Sequence, residues 1–204
     1  MSSSADARLF TPAVARNKDV IAETLLPRLG QGAQILEIAS GSGEHAVHFC
    51  TLRPDLNWHP TNREEEQINS VNSWRKEATD KIAPCRHLDV TLHPWEITAD
   101  YDAIFNANMI HISPWEVTLG LFEGAKAALK PGGQIFLYGP YKVNGEHTAP
   151  SNAEFDRWLK DKNPDFGVRD IAAVQKVAAS HGIAHQTSIP MPANNFIQVF
   201  CLPS

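Results

Sequence analysis

The run Gln34-Ile-Leu-Glu-Ile-Ala39, followed at once by Ser40-Gly-Ser-Gly43 and a helix-forming stretch from Glu44, constrains this chain more than any other feature. A compact apolar segment broken only by Glu37 reads as a strand buried on both faces, as in a parallel sheet. Gly41 and Gly43 allow a tight turn and close backbone approach, and the helix that follows starts with free N–H groups. The resulting strand-turn-helix unit suits the polar end of a nucleotide-like ligand. The spacing Gly41-x-Gly43-x-x-Ala46 also satisfies a dinucleotide fingerprint. The turn alone therefore leaves the ligand open, and a merely structural tight turn is a further reading of the same letters.

The remaining chain alternates short apolar runs with helical patterns, the rhythm of an α/β fold. Thr11-Pro12 predicts the start of a helix running towards Leu29 and closed by Gly30 and Gly32. Strands are predicted around Leu56 to Pro60, Cys85 to Leu88 and Tyr101 to Asn106, with a polar helix over Glu64 to Lys76. Val117, Leu121, Phe122, Ala125, Ala128 and Leu129 form one helical stripe, stopped by Pro131-Gly-Gly133. A strand over Gln34 to Ala39 thus has a counterpart over Gln134 to Tyr138. The segment from Gly139 to Gly167 reads as irregular, with a short amphipathic piece around Phe155 to Leu159. A helix over Asp170 to His181 and strands around His185 to Ile189 and Phe196 to Leu202 close the chain.

At 204 residues the chain fits a single domain, 1–204, with a helical cap at about 11–30. A net charge of −5 without a dense Lys/Arg block argues against a nucleic-acid partner and favours a small molecule. Arg8, Arg16, Lys18 and Arg28 form the nearest approach to a basic patch. No segment reaches the roughly 20 apolar residues needed to span a bilayer, and no membrane partner is expected. Met1 to Phe10 is polar and lacks the apolar stretch of a secretory signal, which predicts a cytoplasmic protein. Cys50, Cys85 and Cys201 form no CxxC pair and are expected to be buried, reduced thiols.

Asn62 follows the second strand and Asp89 the third, where ligands of open α/β sheets bind. Asn62 can hydrogen-bond ribose hydroxyls and Asp89 an adenine amino group; an ordinary loop role is the alternative for each. His45 and His48, three residues apart, share a helical face with Glu44 beside them, but the order is not HExxH and no third ligand is evident, so no metal is expected. His111 is a candidate base or a structural histidine. Trp95 and Trp115, each beside a proline, either line a pocket or pack conventionally.

Glu37 to Gly43, Asp89-Val90, Tyr101 to Asn106 and Leu129-Lys-Pro-Gly-Gly133 resemble the successive motifs of class I S-adenosylmethionine (SAM)-dependent methyltransferases. Phe10-Thr-Pro, Arg16-Asn-Lys18, Leu36 to His48, Asn108-Met-Ile-His111, Tyr138-Gly-Pro-Tyr-Lys142 and Met191-Pro-Ala-Asn-Asn195 are similar to a little-characterised methyltransferase-like family with bacterial members and an animal branch. The resemblance implies a Rossmann-like, mostly parallel seven-stranded sheet of order 3-2-1-4-5-7-6, its last hairpin supplying the only antiparallel strand.

It further implies a cofactor site drawn from Arg16, Asn17, Glu37, Ala39, Ser40, Gly41, Gly43, His45, Asn62, Asp89, Val90, Asn106, Ala107 and Met109. Glu37 takes the methionine end, and Arg16 and Asn17 can meet its carboxylate. Asn62 stands where an acidic residue commonly holds the ribose, with Glu64 nearby but displaced, and Ala39 replaces the first glycine of the usual turn. The residues after strand four, Asn106 to His111, face the sulfonium and the acceptor. Tyr141, Glu146 and His147 border the acceptor pocket, with His111 and Tyr141 the catalytic candidates. The implied activity is methyl transfer from SAM, giving S-adenosylhomocysteine (SAH), to an unidentified small molecule. A non-catalytic SAM-binding protein and an NAD-dependent oxidoreductase are the alternatives, and the acceptor and oligomeric state are not legible.

Overall fold

The computed structural model describes residues 6–76, 78, 80–97 and 100–204. Met1 to Ala5, half of the polar stretch read for targeting, lies outside the described residues. The chain divides into two compact units, one ending at Asp89 and the other spanning Val90–Ser204. Seven strands follow the order β3-β2-β1-β4-β5-β9-β8. This is the expected order, with a small extra hairpin shifting the final numbers.

In the first unit, α1 (Pro12–Leu25) begins after extended Thr11, with Pro12 in the first turn, where its missing N–H costs little. Val14, Asn17, Ile21, Ala22 and Leu25 form its buried stripe. Pro27 has no N–H for the preceding turn, so the helix passes into a single tight turn over Leu26–Arg28 instead of continuing to Leu29. β1 (Gln34–Glu37) lies parallel to β2 (Asn57–Asn62), with Glu37 opposite Pro60. β3 (Arg86–His87) pairs parallel to the end of β2, Asn62 against His87. α2 (Glu44–Leu52) follows β1, and α3 (Glu65–Arg75) follows β2. Ile35, Leu36, Phe49 and Trp58 are fully buried, with the Phe49 and Trp58 rings edge to face at 5.4 Å. Burying each such side chain contributes roughly 1.5–3 kcal/mol, which holds the strand ends in place.

In the second unit, β4 (Tyr101–Ala107) and β5 (Leu129–Gly139) are parallel, and α4 (Trp115–Ala128) connects them. β5 extends back through Pro131-Gly-Gly133, so the predicted helix stop is also strand. β6 (Lys142–Val143) and β7 (Glu146–His147) form a hairpin whose Asn144 and Gly145 both have positive φ, the pairing such tight turns require. α5 (Pro150–Lys162) occupies a little under half of the segment expected to be irregular. Its buried face is Asn152, Asp156 and Leu159, two polar residues and one apolar, so only the short amphipathic piece around Phe155 to Leu159 announced it. α6 (Ile171–Ser180) is capped by the Asp170 carboxylate, which accepts the Ala172 N–H at 2.8 Å. β8 (Ala184–Met191) and β9 (Asn195–Cys201) are antiparallel, and β9 runs antiparallel to β5. On α4, Gly124 leaves the space that the Trp95 indole fills, and Trp95 donates to the Val90 carbonyl at 3.2 Å. Trp95 is therefore a packing residue.

Among the described residues no helix is long and apolar enough to cross a membrane. Cys50 and Cys85 are buried free thiols, whereas Cys201 is half-buried, since the end of β9 is incompletely covered. Burial pushes both buried thiols up to about 12 and keeps them protonated.

Candidate functional site

The turn after β1 is a chain of backbone conformations that side chains rarely adopt. Ala39, Gly41 and Gly43 all have positive φ, +53°, +58° and +95°. Alanine at the first of these keeps the left-handed geometry at a cost of about 1–2 kcal/mol. The Ser40 N–H donates to the Thr61 carbonyl at 2.9 Å, and the Gly43 N–H donates to the Ser40 carbonyl at 3.1 Å. Gly43 is the N-cap of α2, and a Cβ on it would lie 2.9 Å from the Val71 backbone. Its glycine is thus demanded by α3 as well as by its own φ.

Asn62, the last residue of β2, is fully buried and grips this turn. Its Oδ1 accepts the Gly41 N–H at 2.9 Å, while Nδ2 donates to the Gly41 carbonyl at 3.3 Å and lies 3.7 Å from Cys85 Sγ. The side chain expected at a ribose shapes the turn instead. Glu64, the displaced acidic neighbour, is exposed and paired with Arg63 at 2.8 Å.

Glu37 closes β1 with 2% of its surface exposed, and its Oε2 accepts the Trp58 indole N–H at 2.8 Å. Burial pushes its carboxyl up to about 7, opposed by the Trp58 bond and the nearby Ser40 hydroxyl. Asn17 and His45 meet each other: His45 Nε2 donates to Asn17 Oδ1 at 2.9 Å, both residues being buried. Burial first, then the charges of His48 and Lys18, lowers His45 to about 3, so its imidazole is neutral. Arg16 is exposed on α1, and His48 turns to Asp19 at 2.9 Å. Among the described residues, no group of three or more His, Cys, Asp or Glu side chains is placed to hold a metal ion. Asp89 is half-buried two residues beyond β3, past the Leu88 N–H that donates to the Asn62 carbonyl at 2.9 Å.

Two observations fit this turn to a polar ligand. A Cβ on Gly41 would meet nothing within 4 Å, so that face of the backbone is open. The Ser40 hydroxyl is buried and makes no hydrogen bond of ordinary geometry, its one polar influence being on the Glu37 carboxyl beside it. Buried hydroxyls are normally satisfied, and one so weakly engaged at the start of a helix suits a ligand partner.

In the second unit, Asn106 is buried on β4 opposite Leu137, Ala107 is half-buried opposite Tyr138, and Met109 opens a tight turn after left-handed Asn108. Val90 is buried, with its carbonyl engaged by Trp95. His111 is fully buried and lowered to about 3, chiefly by burial and then by Arg169. Its Nδ1 accepts the Arg169 N–H at 3.3 Å, which leaves the proton on Nε2. That geometry offers an N–H donor, not the lone pair that a base needs. Tyr141 is buried edge-on to His111 at 5.0 Å, donates weakly to the Leu137 carbonyl at 3.5 Å, and is shifted upward by burial, so its phenol stays protonated.

The sequence reading missed Ser42, Glu44 and Ser70 around the turn, and Asp156 and Arg169 in the second unit. Asp156 Oδ2 receives Lys160 Nζ at 2.8 Å, Lys142 Nζ at 3.1 Å and His147 Nε2 at 3.2 Å, while Oδ1 accepts the Val168 N–H at 2.7 Å. Burial alone would raise its carboxyl, but Lys160, the Val168 N–H and Lys142 bring it down to about 2. His147 is thereby tied to α5, and Glu146 is exposed. Arg169 donates to the Ile110 and Ser113 carbonyls and lies 5.5 Å over the Trp115 ring. The Ser42-x-Glu44 spacing at a helix start was the one available signal.

The α/β architecture is that of class I methyltransferases. An O-methyltransferase family 2 protein from Planctomyces limnophilus, solved with apigenin, superimposes with TM-score 0.78 at 16% identity, over 93% of this chain and 59% of that one. A putative sarcosine dimethylglycine methyltransferase from Galdieria sulphuraria gives 0.72 at 14% identity over 98% and 94%. Human N-acetylserotonin methyltransferase in complex with SAM gives 0.75 at 14% over 94% and 53%. The chain spans a little over half the length of two of these three proteins. It belongs to the family described as Protein of unknown function (DUF938), which it matches over residues 8–201.

Proposed function

We propose that this chain is a cytoplasmic SAM-dependent methyltransferase acting on a small molecule, of the methyltransferase-like family with bacterial members and an animal branch that its motifs resemble. The reading treats 1–204 as one domain with a helical cap at about 11–30. The observation that carries it is the turn over Glu37–Gly43, with its open Gly41 face, buried and weakly engaged Ser40 hydroxyl and following helix N-terminus. When bound, SAM supplies an electrophilic methyl for direct displacement and leaves as SAH. Ser40, Gly41 and the start of α2 receive polar groups of the ligand. Glu37 faces its methionine end as the charged or the neutral acid, since its carboxyl titrates near neutrality. Arg16 and the Asn17–His45 pair are assigned to the carboxylate, and Asp89 and Val90 to adenine. Asn62 acts through Gly41 as a positioning residue.

In the second unit, Asn106, Ala107 and Met109 keep the cofactor roles that the resemblance gives them. His111 acts by hydrogen bonding and Tyr141 by shape. Catalysis then rests on alignment, which is able to supply effective molarities of order 10⁵ M or more without a dedicated base. The burial of both candidate bases equally favours a second reading, a SAM-binding protein without turnover. Calorimetric titration with SAH, SAM and NAD, followed by an acceptor screen with SAM, tests both. Binding of SAH and SAM but not NAD is expected. Binding of NAD alone overturns both readings, and tight SAH binding without turnover selects the second.

A further inference from the structure

Residues 8–11, before α1, are joined to the glycine turn through side chains that serve both. Ser70, fully buried on α3, accepts the Leu9 N–H at 2.8 Å and donates to the Ser42 carbonyl at 2.7 Å. Glu44 Oε2 accepts the Thr11 N–H at 2.8 Å and the Ser42 hydroxyl at 2.9 Å. The carbonyl and the hydroxyl of Ser42, which lies between Gly41 and Gly43, are therefore each one side chain away from the segment. Its outer anchor is Trp74, which donates to the Leu9 carbonyl at 3.0 Å, meets Phe10 edge to face at 5.1 Å and carries Arg8 over its ring at 5.1 Å.

Little apolar burial supports this attachment. Phe10 is 67% exposed, and Arg8, Leu9 and Thr11 are only half-covered or exposed. A segment held by a few hydrogen bonds and one exposed aromatic contact opens at low free energy, unlike the core strands beneath it. Its docking nevertheless requires Ser42 in its present place. A ligand that fixes the turn also fixes Ser42, and so favours the docked segment; by linkage, the docked segment favours the ligand to the same degree.

We infer that residues 8–11 are a latch on the cofactor turn, closed through Ser70 and Glu44 and energetically linked to occupancy of that turn. This rests on the proposal that the turn binds SAM and SAH. The test uses the full chain and SAH. Hydrogen exchange at the Leu9 and Thr11 amides is expected to slow about fivefold or more with SAH, the lower end of ordinary coupling between sites. Trp74→Leu, which removes the anchor without touching the turn, is expected to speed that exchange and weaken SAH binding by a similar factor. Should that variant lose cooperative unfolding, Ser70→Ala gives the same readings. Unaltered exchange and unaltered affinity, with SAH bound to the parent, overturn the latch alone. No SAH binding to the parent overturns the functional proposal and the latch with it.

Discussion

Asn62 takes hold of both polar groups of Gly41, its amide oxygen on the N–H and its amide nitrogen on the carbonyl. A buried amide thus does for the turn what a further strand would do for a strand end. Asn62→Ala leaves both backbone groups without their partner, an expected loss of about 1–3 kcal/mol in stability. SAH affinity should fall further than that of an equally destabilised core variant such as Ile104→Val, because the turn itself is released. Urea unfolding and calorimetry on both variants check the two effects separately.

The fold was legible where periodicity and turn chemistry agreed. β1 and its glycine turn carry their pattern in adjacent letters, and Asn194-Asn195 marks the return into the last hairpin. Three parts were hidden for physical reasons. α5 buries Asn152 and Asp156, most of whose partners lie outside the helix, so only its piece around Phe155 to Leu159 read as amphipathic. β3 has two exposed residues and is a strand by virtue of β2. For Asn62 the position was legible and the orientation was not: only the folded turn shows that Gly41 is within reach. His111 likewise read as an available base until Arg169, remote in sequence, was seen on its Nδ1.

Ala39 holds a left-handed conformation without being glycine. Ala39→Gly relieves that strain, partly offset by the greater freedom of the unfolded chain. A gain of up to about 1 kcal/mol is expected, or about 2–4 °C in Tm for a chain of this length. A lower Tm would show that the methyl group contributes more in packing than the backbone loses.

Buried Glu37, His45 and His111 give stability opposing pH dependences. The Glu37 carboxyl, raised from 4.5 to about 7, holds a proton that the unfolded chain has released. Its contribution is complete below 4.5 and lost as pH rises through 7. The histidines, lowered from 6.5 to about 3, contribute stability present above 6.5 and lost on acidification. Between 6.5 and 4.5 two protons oppose one, so the parent should lose about 1.4 kcal/mol per pH unit from these groups on acidification. Glu37→Gln retains an acceptor for Trp58 and removes the opposing proton, so the slope should roughly double. Urea unfolding at several pH values reads this directly, and parallel slopes would place Glu37 in an ordinary ionised state.

Tyr141→Phe removes a hydroxyl whose bond to the Leu137 carbonyl is long, and should change stability by less than about 1 kcal/mol. Methyl transfer to any acceptor found should be nearly unaffected. A kcat loss of a hundredfold with unchanged KM would instead give the phenol a direct part in the reaction.

The two glycines of the turn separate folding from binding. Valine at Gly43 brings a Cβ against the Val71 backbone at φ +95°, so Gly43→Val should chiefly unfold the turn, with any loss of ligand affinity following from that. Gly41 is the informative position. Its φ of +58° is one that alanine already tolerates at Ala39, and a Cβ there meets no atom of the chain within 4 Å. Gly41→Ala should therefore fold at a cost of about 1–2 kcal/mol while placing a methyl group on the open face. A tenfold or greater loss of SAH affinity is expected in a variant that still unfolds cooperatively, measured by calorimetry beside thermal unfolding without ligand. Unchanged affinity in that folded variant would remove this face of the turn from the binding site.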